Sequence, residues 1–246
     1  MKQKALIALG KAARNGHARP KKRKVTVQNL VYAELRRSLM TGAFLPGAKV
    51  TLRSVTEQIG TSMMPVREAI NRLIAERALE LAGNRQVIVP VMTAEKFSEL
   101  THWRVLLETA AARAASLRVT PQLIADLEAV NSKMAIAVEQ DRRDLLLPLN
   151  YDFHFLIYRQ ANSEILLPMI ESLWLQAGPF NYFSTPSPKA LWNAKHHRDI
   201  VRALKASDGD LAAEAIARDI LNTAEFLKNS GHFERPTVRR VGASAA

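Results

Sequence analysis

Leu52-Arg53-Ser54-Val55-Thr56-Glu57-Gln58-Ile59-Gly60-Thr61-Ser62-Met63-Met64-Pro65-Val66-Arg67-Glu68 reads as helix, tight turn, helix. Val55 and Ile59 lie one turn apart and face a core. Gly60 follows the last apolar residue, where a helix end favours a left-handed backbone without a Cβ. Ser62 then offers an N-cap oxygen for a second helix with Pro65 in its first turn. A helix that opens on a small polar residue and carries Arg67 near its start can lie in a DNA major groove.

The flanks extend this unit. Leu30, Val31, Leu35, Leu39 and Met40 recur at helical spacing and predict a helix over 27–41, stopped by Gly42. Leu45-Pro46-Gly47 is a turn. The second helix of the opening pair continues to about Arg77. Leu79, Leu81, Val87, Val89 and Val91 then alternate around Gly83-Asn84, which predicts a β-hairpin. Three helices and a hairpin make a winged helix-turn-helix over residues 26–92.

From Thr93 the pattern is helical. Thr93 with Lys96 begins a helix past Trp103, Leu106, Leu107, Ala110, Ala111 and Ala114, and Thr120-Pro121 opens another. Further helical patterns cover roughly 150–161, 163–176, 189–206 and 209–228. Asn162-Ser163, Thr185-Pro186-Ser187-Pro188 and Ser207-Asp208-Gly209 separate them. Residues 93–230 therefore form an all-helical bundle of about six helices. The expected fold is mainly α: a winged head, then a helical bundle.

Charge follows the same division. The net charge is +12. Residues 1–25 hold nine basic and no acidic side chains and read as a flexible basic arm. Residues 26–92 hold eight basic against five acidic, residues 93–230 fifteen against seventeen, and the tail 231–246 three against one. A polyanion-binding N-terminal half and a C-terminal half with another task fit that asymmetry. Pro20-Lys21-Lys22-Arg23-Lys24-Val25 matches a viral nuclear-localisation signal, and the same run also suits a solvated arm touching phosphates. The 48% hydrophobic and 24% charged contents are ordinary for a globular protein. The absence of cysteine excludes disulfides, thiolate zinc sites and cysteine nucleophiles. No apolar run approaches the roughly 20 residues of a membrane span, and Ala5–Leu9 is too short for a signal peptide's core. A cytoplasmic protein with no membrane partner is expected.

Tyr32…Leu35-Arg36…Thr41-Gly42…Leu45-Pro46-Gly47…Leu52 and Pro65-Val66-Arg67-Glu68-Ala69-Ile70…Leu73 resemble the DNA-binding domain of GntR-family transcription regulators. Arg104…Leu107-Glu108…Ala111, Asn150…Phe153-His154…Leu156…Asn162 and His197-Arg198…Ile200 resemble the helical FCD domain of the FadR subfamily. The resemblance covers about residues 27–228. It implies DNA contacts by Arg53, Ser62, Arg67 and the wing residues Asn84 and Arg85. A solvated helix face for Arg53 and an intradomain ion pair for Arg67 are the structural alternatives. Met63 stands where the family usually has a base-reading arginine, and Gln86 where its wing usually has glycine, so either the operator is expected to differ or affinity to lean on the basic arm.

The resemblance also implies a divalent metal, such as zinc, nickel or manganese, held by Asn150, His154, His197 and Asp219. The family's fourth ligand is usually histidine, so Asp219 makes this site harder and more anionic. Asn150 and His154, four apart, share a helix face. Only one of the neighbours His196 and His197 can point inward. An effector site is expected around Arg104, Asn150, His154 and His197. Arg104 would meet a small carboxylate, or pair with Glu108 four residues on. Trp103, Trp174, Trp192 and Phe180-Asn181-Tyr182-Phe183 are candidates for core or pocket wall.

The expected function is a ligand-responsive regulator, a repressor whose homodimer binds a palindromic double-stranded operator and is released by an organic acid. Two other classes stay open. A metal-dependent hydrolase-like enzyme would use the same four ligands to activate water, but no general base is evident and the N-terminal half is unexplained. A non-specific nucleic-acid-binding protein would rely on the basic arm and tolerate loss of Arg67.

Overall fold

The structure, a computed structural model, describes residues 26–184, 194–229 and 231–233. The arm 1–25, the Thr185–Pro188 segment, Trp192 and most of the tail lie outside the described residues.

The head begins with α1 (Val27–Met40), whose N-cap Thr26 accepts from the Asn29 amide. Gly42 closes it at φ 69°. Helices α2 (Leu52–Ile59) and α3 (Met63–Ala75) follow, joined through Gly60 in the left-handed conformation. Thr51 caps α2 through the Ser54 amide. Ser62 occupies the N-cap position of α3 with extended backbone, but its side chain makes no capping bond there. Helix α3 stops at Ala75, short of the expected Arg77, which turns left-handed at φ 58°. The wing is shorter than the alternation suggested. Strands β1 (Glu80–Leu81) and β2 (Val87–Ile88) pair antiparallel around a 3-10 turn, Gly83–Arg85, and Lys49 bridges to Ile88. Val31, Leu35, Leu39, Val55, Val66, Ile70, Leu73, Leu79 and Val89 are buried in the head's core.

Six helices follow among the described residues: α4 (Ala94–Ser116), α5 (Pro121–Glu139), α6 (Arg143–Gln160), α7 (Leu166–Asn181), α8 (Ala194–Lys205) and α9 (Gly209–Asn229). Thr93 and Thr120 cap α4 and α5 as their spacing indicated. Helix α6 begins seven residues before the expected 150 and carries Pro148 inside it; α7 runs past the expected 176 with Pro179 inside. Helix α4 packs against α6, α7 and α9, and α5 against α6 and α8. Phe153, Phe155, Tyr158, Ile170, Trp174, Leu204, Ile216 and Ile220 fill the space between them.

Head and bundle meet where α1 lies on α7. Gly178 permits the approach: a Cβ there would meet the Leu39 carbonyl oxygen and come within 2.6 Å of Met40 Cα. Arg37 forks onto both oxygens of Asp152 on α6, at 2.9 and 3.0 Å. Arg36 donates to Glu171 on α7 at 2.8 Å and also reaches Glu76 at 3.8 Å, just past the end of α3. Glu76 in turn accepts from Tyr32 and Arg72. Burial, with the Glu76 carboxylate next, pushes the Tyr32 hydroxyl up to about 12.

Candidate effector cavity and DNA-facing surface

A cavity of about 260 Å³ opens inside the bundle, lined by Arg104, Asn150, His154, Trp174, Asn181, His196, Asp219, Asn222 and Thr223 among others. Of the expected metal ligands Asn150, His154 and Asp219 line it, while His197, also expected at the effector site, does not line the cavity but clusters with His154 and Asp219. The ligand atoms of His154, His197 and Asp219 all lie within 4.8 Å of one another. His154 Nε2 is 3.2 Å from Asp219 Oδ2, and His197 Nε2 is 3.9 Å from Oδ1. Asn150, one turn before His154 on α6, lines the same cavity. Of the paired histidines, His197 is the buried one, stacked on Phe153 at 4.2 Å. His196 lies at the cavity wall beside Asn222, 2.9 Å away.

The protonation pattern suits a cation. Burial is the main force that lowers His197 to about 3; the attraction of Asp219 opposes it, and His154 and His196 add to it. Burial would raise Asp219, yet its hydrogen bond with His154 and the nearby imidazoles bring it down to about 2. A neutral imidazole and an ionised carboxylate are the forms that bind metal.

Behind the cluster runs a buried polar chain that the sequence reading met only in part. Arg104 Nε donates to Glu108 Oε1 at 2.7 Å, and its Nη2 approaches Oε2 at 3.4 Å. Glu108 is fully buried and accepts from the Tyr158 hydroxyl. That hydroxyl lies 3.2 Å from His154 Nδ1. With the Tyr158 proton committed to Glu108, its oxygen is free to accept from Nδ1–H. This tautomer leaves a lone pair on Nε2, facing a carboxylate oxygen at 3.2 Å. Two acceptors at that distance need a cation between them, either a proton or a metal ion. The donor set therefore fits a divalent metal.

Arg104 adopts the Glu108 pairing, one of its two expected roles, and still lines the cavity, with its guanidinium 4.9 Å over the Trp174 ring. Burial opposes its charge, and the Glu108 carboxylate more than offsets that. Burial, then the Glu108 charge, pushes Tyr158 well up. Asn181, from the Phe180–Phe183 run, lines the cavity as one of its two expected roles, whereas Tyr158 went unrecognised as a site residue. The four-residue step from His154 to Tyr158 could have revealed it. Trp174 is pocket wall, whereas Trp103 is half exposed and belongs to neither core nor cavity.

On the head, Ser62, Met63, Met64 and Arg67 are all exposed along the start of α3. Arg67 and Arg85 line one groove between α3 and the wing, together with Lys49, Asn71 and Gln86. Among the described residues Arg67 forms no ion pair. Arg53 is exposed on α2 and bonded to Glu57 at 2.8 Å. Asn84 lies in the 3-10 turn between the wing strands.

A winged head with a basic groove, fused to a helical bundle with a polar cavity, defines a DNA-binding regulator with a sensory domain. The chain belongs to the GntR family of bacterial regulatory proteins, whose profile matches residues 28–89, and its C-terminal part is an FCD domain, matched over residues 99–222. It is 30% identical over 200 residues to the HTH-type transcriptional regulator McbR of Escherichia coli K12, covering 80% of this chain and 90% of that one. The HTH-type transcriptional repressor RspR of the same strain is 26% identical over 204 residues, 82% of this chain and 89% of the relative. The solved structure of E. coli McbR/YncC superposes with a TM-score of 0.77, covering 83% of this chain and 98% of that one. A GntR structure from Rhodococcus sp. RHA1, 22% identical, shares the fold at TM-score 0.66, covering 82% and 97%. The chain is a DNA-binding transcription regulator. None of the helices among the described residues is long and apolar enough to cross a membrane.

Proposed function

We propose that this chain is a cytoplasmic repressor whose homodimer holds a palindromic double-stranded operator and releases it when a small organic acid enters the bundle cavity. The observation that supports this reading is the double use of α6 and α7. Helix α6 carries Asn150 and His154 at the cavity and Asp152 on Arg37 of the head. Helix α7 carries Trp174 and Asn181 at the cavity and Glu171 and Gly178 against α1. A ligand with different affinity for two arrangements of these helices shifts the head between them.

In this reading Arg67 and Arg85 contact bases and phosphates from one groove, and Arg53, Ser62 and Asn84 flank them. His154, His197 and Asp219, with Asn150, hold a divalent ion such as zinc, nickel or manganese. Once bound, that ion supplies a Lewis-acidic anchor for the ligand's carboxylate. Glu108 and Tyr158 fix the His154 ring, and Arg104, held by Glu108, offers its remaining N–H donors to the ligand. The cavity is a sensor, not a catalytic centre.

The test is operator binding by fluorescence anisotropy, with metal-free and metal-loaded protein titrated with organic acids. An acid that needs metal, weakens operator binding and loses its effect in His154→Ala supports the reading. Operator affinity indifferent to every acid and metal refutes it. Turnover of the acid would turn the cavity into a hydrolase-like site. Operator binding that lacks sequence preference and survives Arg67→Ala would favour a non-specific nucleic-acid binder.

A further inference from the structure

The first turn of α3 holds two large apolar side chains in water. Met63 is 53% exposed and Met64 68% exposed, while Val66, Ala69, Ile70 and Leu73 on the opposite side of the helix are buried in the head's core. Helix positions advance by roughly 100° per residue, so Met63 stands roughly 40° to one side of Arg67 and Met64 roughly 60° to the other. The two thioethers therefore flank the arginine that opens onto the groove shared with Lys49, Asn71, Arg85 and Gln86. Ser62, just before them, makes no capping bond with its side chain. An apolar pair set among cations and amides calls for a partner that is itself polyanionic around an apolar point.

We infer that Met63 and Met64 read thymine, each closing over the C5-methyl group of an A·T pair on either side of the Arg67 contact. A thioether has no charge and no donor, so it gains nothing from a phosphate. On the floor of the major groove, among donors and acceptors, thymine's methyl is the one apolar group. Methionine is unbranched and polarisable, so it can follow the contour of that methyl. Guanine at the same place presents two acceptors, and a thioether over them would displace water without supplying a donor. Arg67, Arg85 and Lys49 supply the attraction to the polyanion, and the methionines supply discrimination. The inference rests on the major-groove reading of α3 above and deepens it by naming the base these two positions select.

In-vitro selection with the full chain on a random duplex library supplies the probe, a preferred operator sequence. Fluorescence anisotropy then compares that duplex with versions in which one thymine at a time is replaced by deoxyuridine. The replacement removes the methyl and keeps every hydrogen-bonding group. At the thymines under the two methionines, each replacement is expected to weaken wild-type binding roughly 4-fold, the worth of one buried methyl-sized group. Met63→Ala is expected to abolish the effect at one position and Met64→Ala at the other, a coupling that a double-mutant cycle isolates. Both variants are expected to keep the wild-type Tm, since the side chains are exposed, and the wild-type salt slope, since neither meets a phosphate. Deoxyuridine that leaves wild-type binding unchanged at every thymine overturns the inference and leaves the operator reading standing. So does deoxyuridine that weakens the alanine variants as much as the wild type. Binding lost in both alanine variants but indifferent to the methyl marks an apolar wedge between base steps and overturns it as well. Selection that yields no preferred sequence overturns both readings.

Discussion

Gly178→Ala probes the seam between head and bundle. Alanine in a helix interior is favoured over glycine by roughly 0.5–1 kcal/mol, so for an isolated α7 the change would stabilise. Here the added methyl runs into the Leu39 carbonyl oxygen, Met40 Cα at 2.6 Å and the Met40 carbonyl carbon at 2.8 Å. All three are backbone atoms of α1, and no side-chain rotation relieves them. Overpacking of this kind costs about 1–3 kcal/mol. The steric term wins, and the net destabilisation is about 1–2 kcal/mol. For a chain of this size that is a fall of roughly 2–8 °C in Tm. The seam opens at the same time, so Arg36 and Arg37 lose their hold on Glu171 and Asp152. Differential scanning calorimetry measures the first effect, and operator anisotropy with and without effector the second. A G178A protein that melts at or above the wild-type temperature and keeps its full effector response would refute the account, because α7 and α1 would not then be in close contact in solution.

Three more outcomes are expected. Arg67→Ala should weaken specific operator binding by about 1–3 kcal/mol in anisotropy titrations while leaving Tm unchanged, since its side chain is exposed. In metal-free protein, His197, lowered to about 3 against an unfolded value near 6.5, contributes stability that is full above about 6.5 and is lost as pH falls toward 3; Asp219, lowered to about 2, adds a further loss below about 3.8. Chemical denaturation from pH 7 to pH 3 should show this decline, and His197→Phe should flatten its upper part. A chelator should lower Tm of metal-loaded wild type and leave His154→Ala unaffected; equal shifts in both would remove His154 from the metal site.

The head was legible because its signals are local. Gly42, Gly60 and the apolar steps in α1 and α3 act within a few residues, and tertiary context only trimmed their edges. Helix α6 was harder. Pro148 lacks an amide hydrogen and normally ends or opens a helix, which masks the turns before it, whereas the buried Leu146 and Leu147 hold the preceding turn in place. The same reasoning hid the last turn of α7 behind Pro179. The buried His–Asp cluster was beyond local reading, since His154, His197 and Asp219 sit on α6, α8 and α9 and meet only through packing. The family resemblance supplied those three residues. It left out the Glu108–Tyr158 link, which shows itself only once α4 lies beside α6.

Arg36, on α1, ties Glu76 at the foot of α3 to Glu171 of the bundle, and this makes α3 a lever. Thirteen residues span roughly 20 Å. Its short arm ends at the Glu76–Arg36–Glu171 linkage and its long arm ends at Ser62 and Met63. A tilt of about 10° at the foot sweeps the far end by roughly 3.4 Å, the rise of one base pair. In the proposed repressor, displacements too small to disturb packing in the bundle would thus become a full step of misregister at the groove, a mechanical gain set by helix length alone.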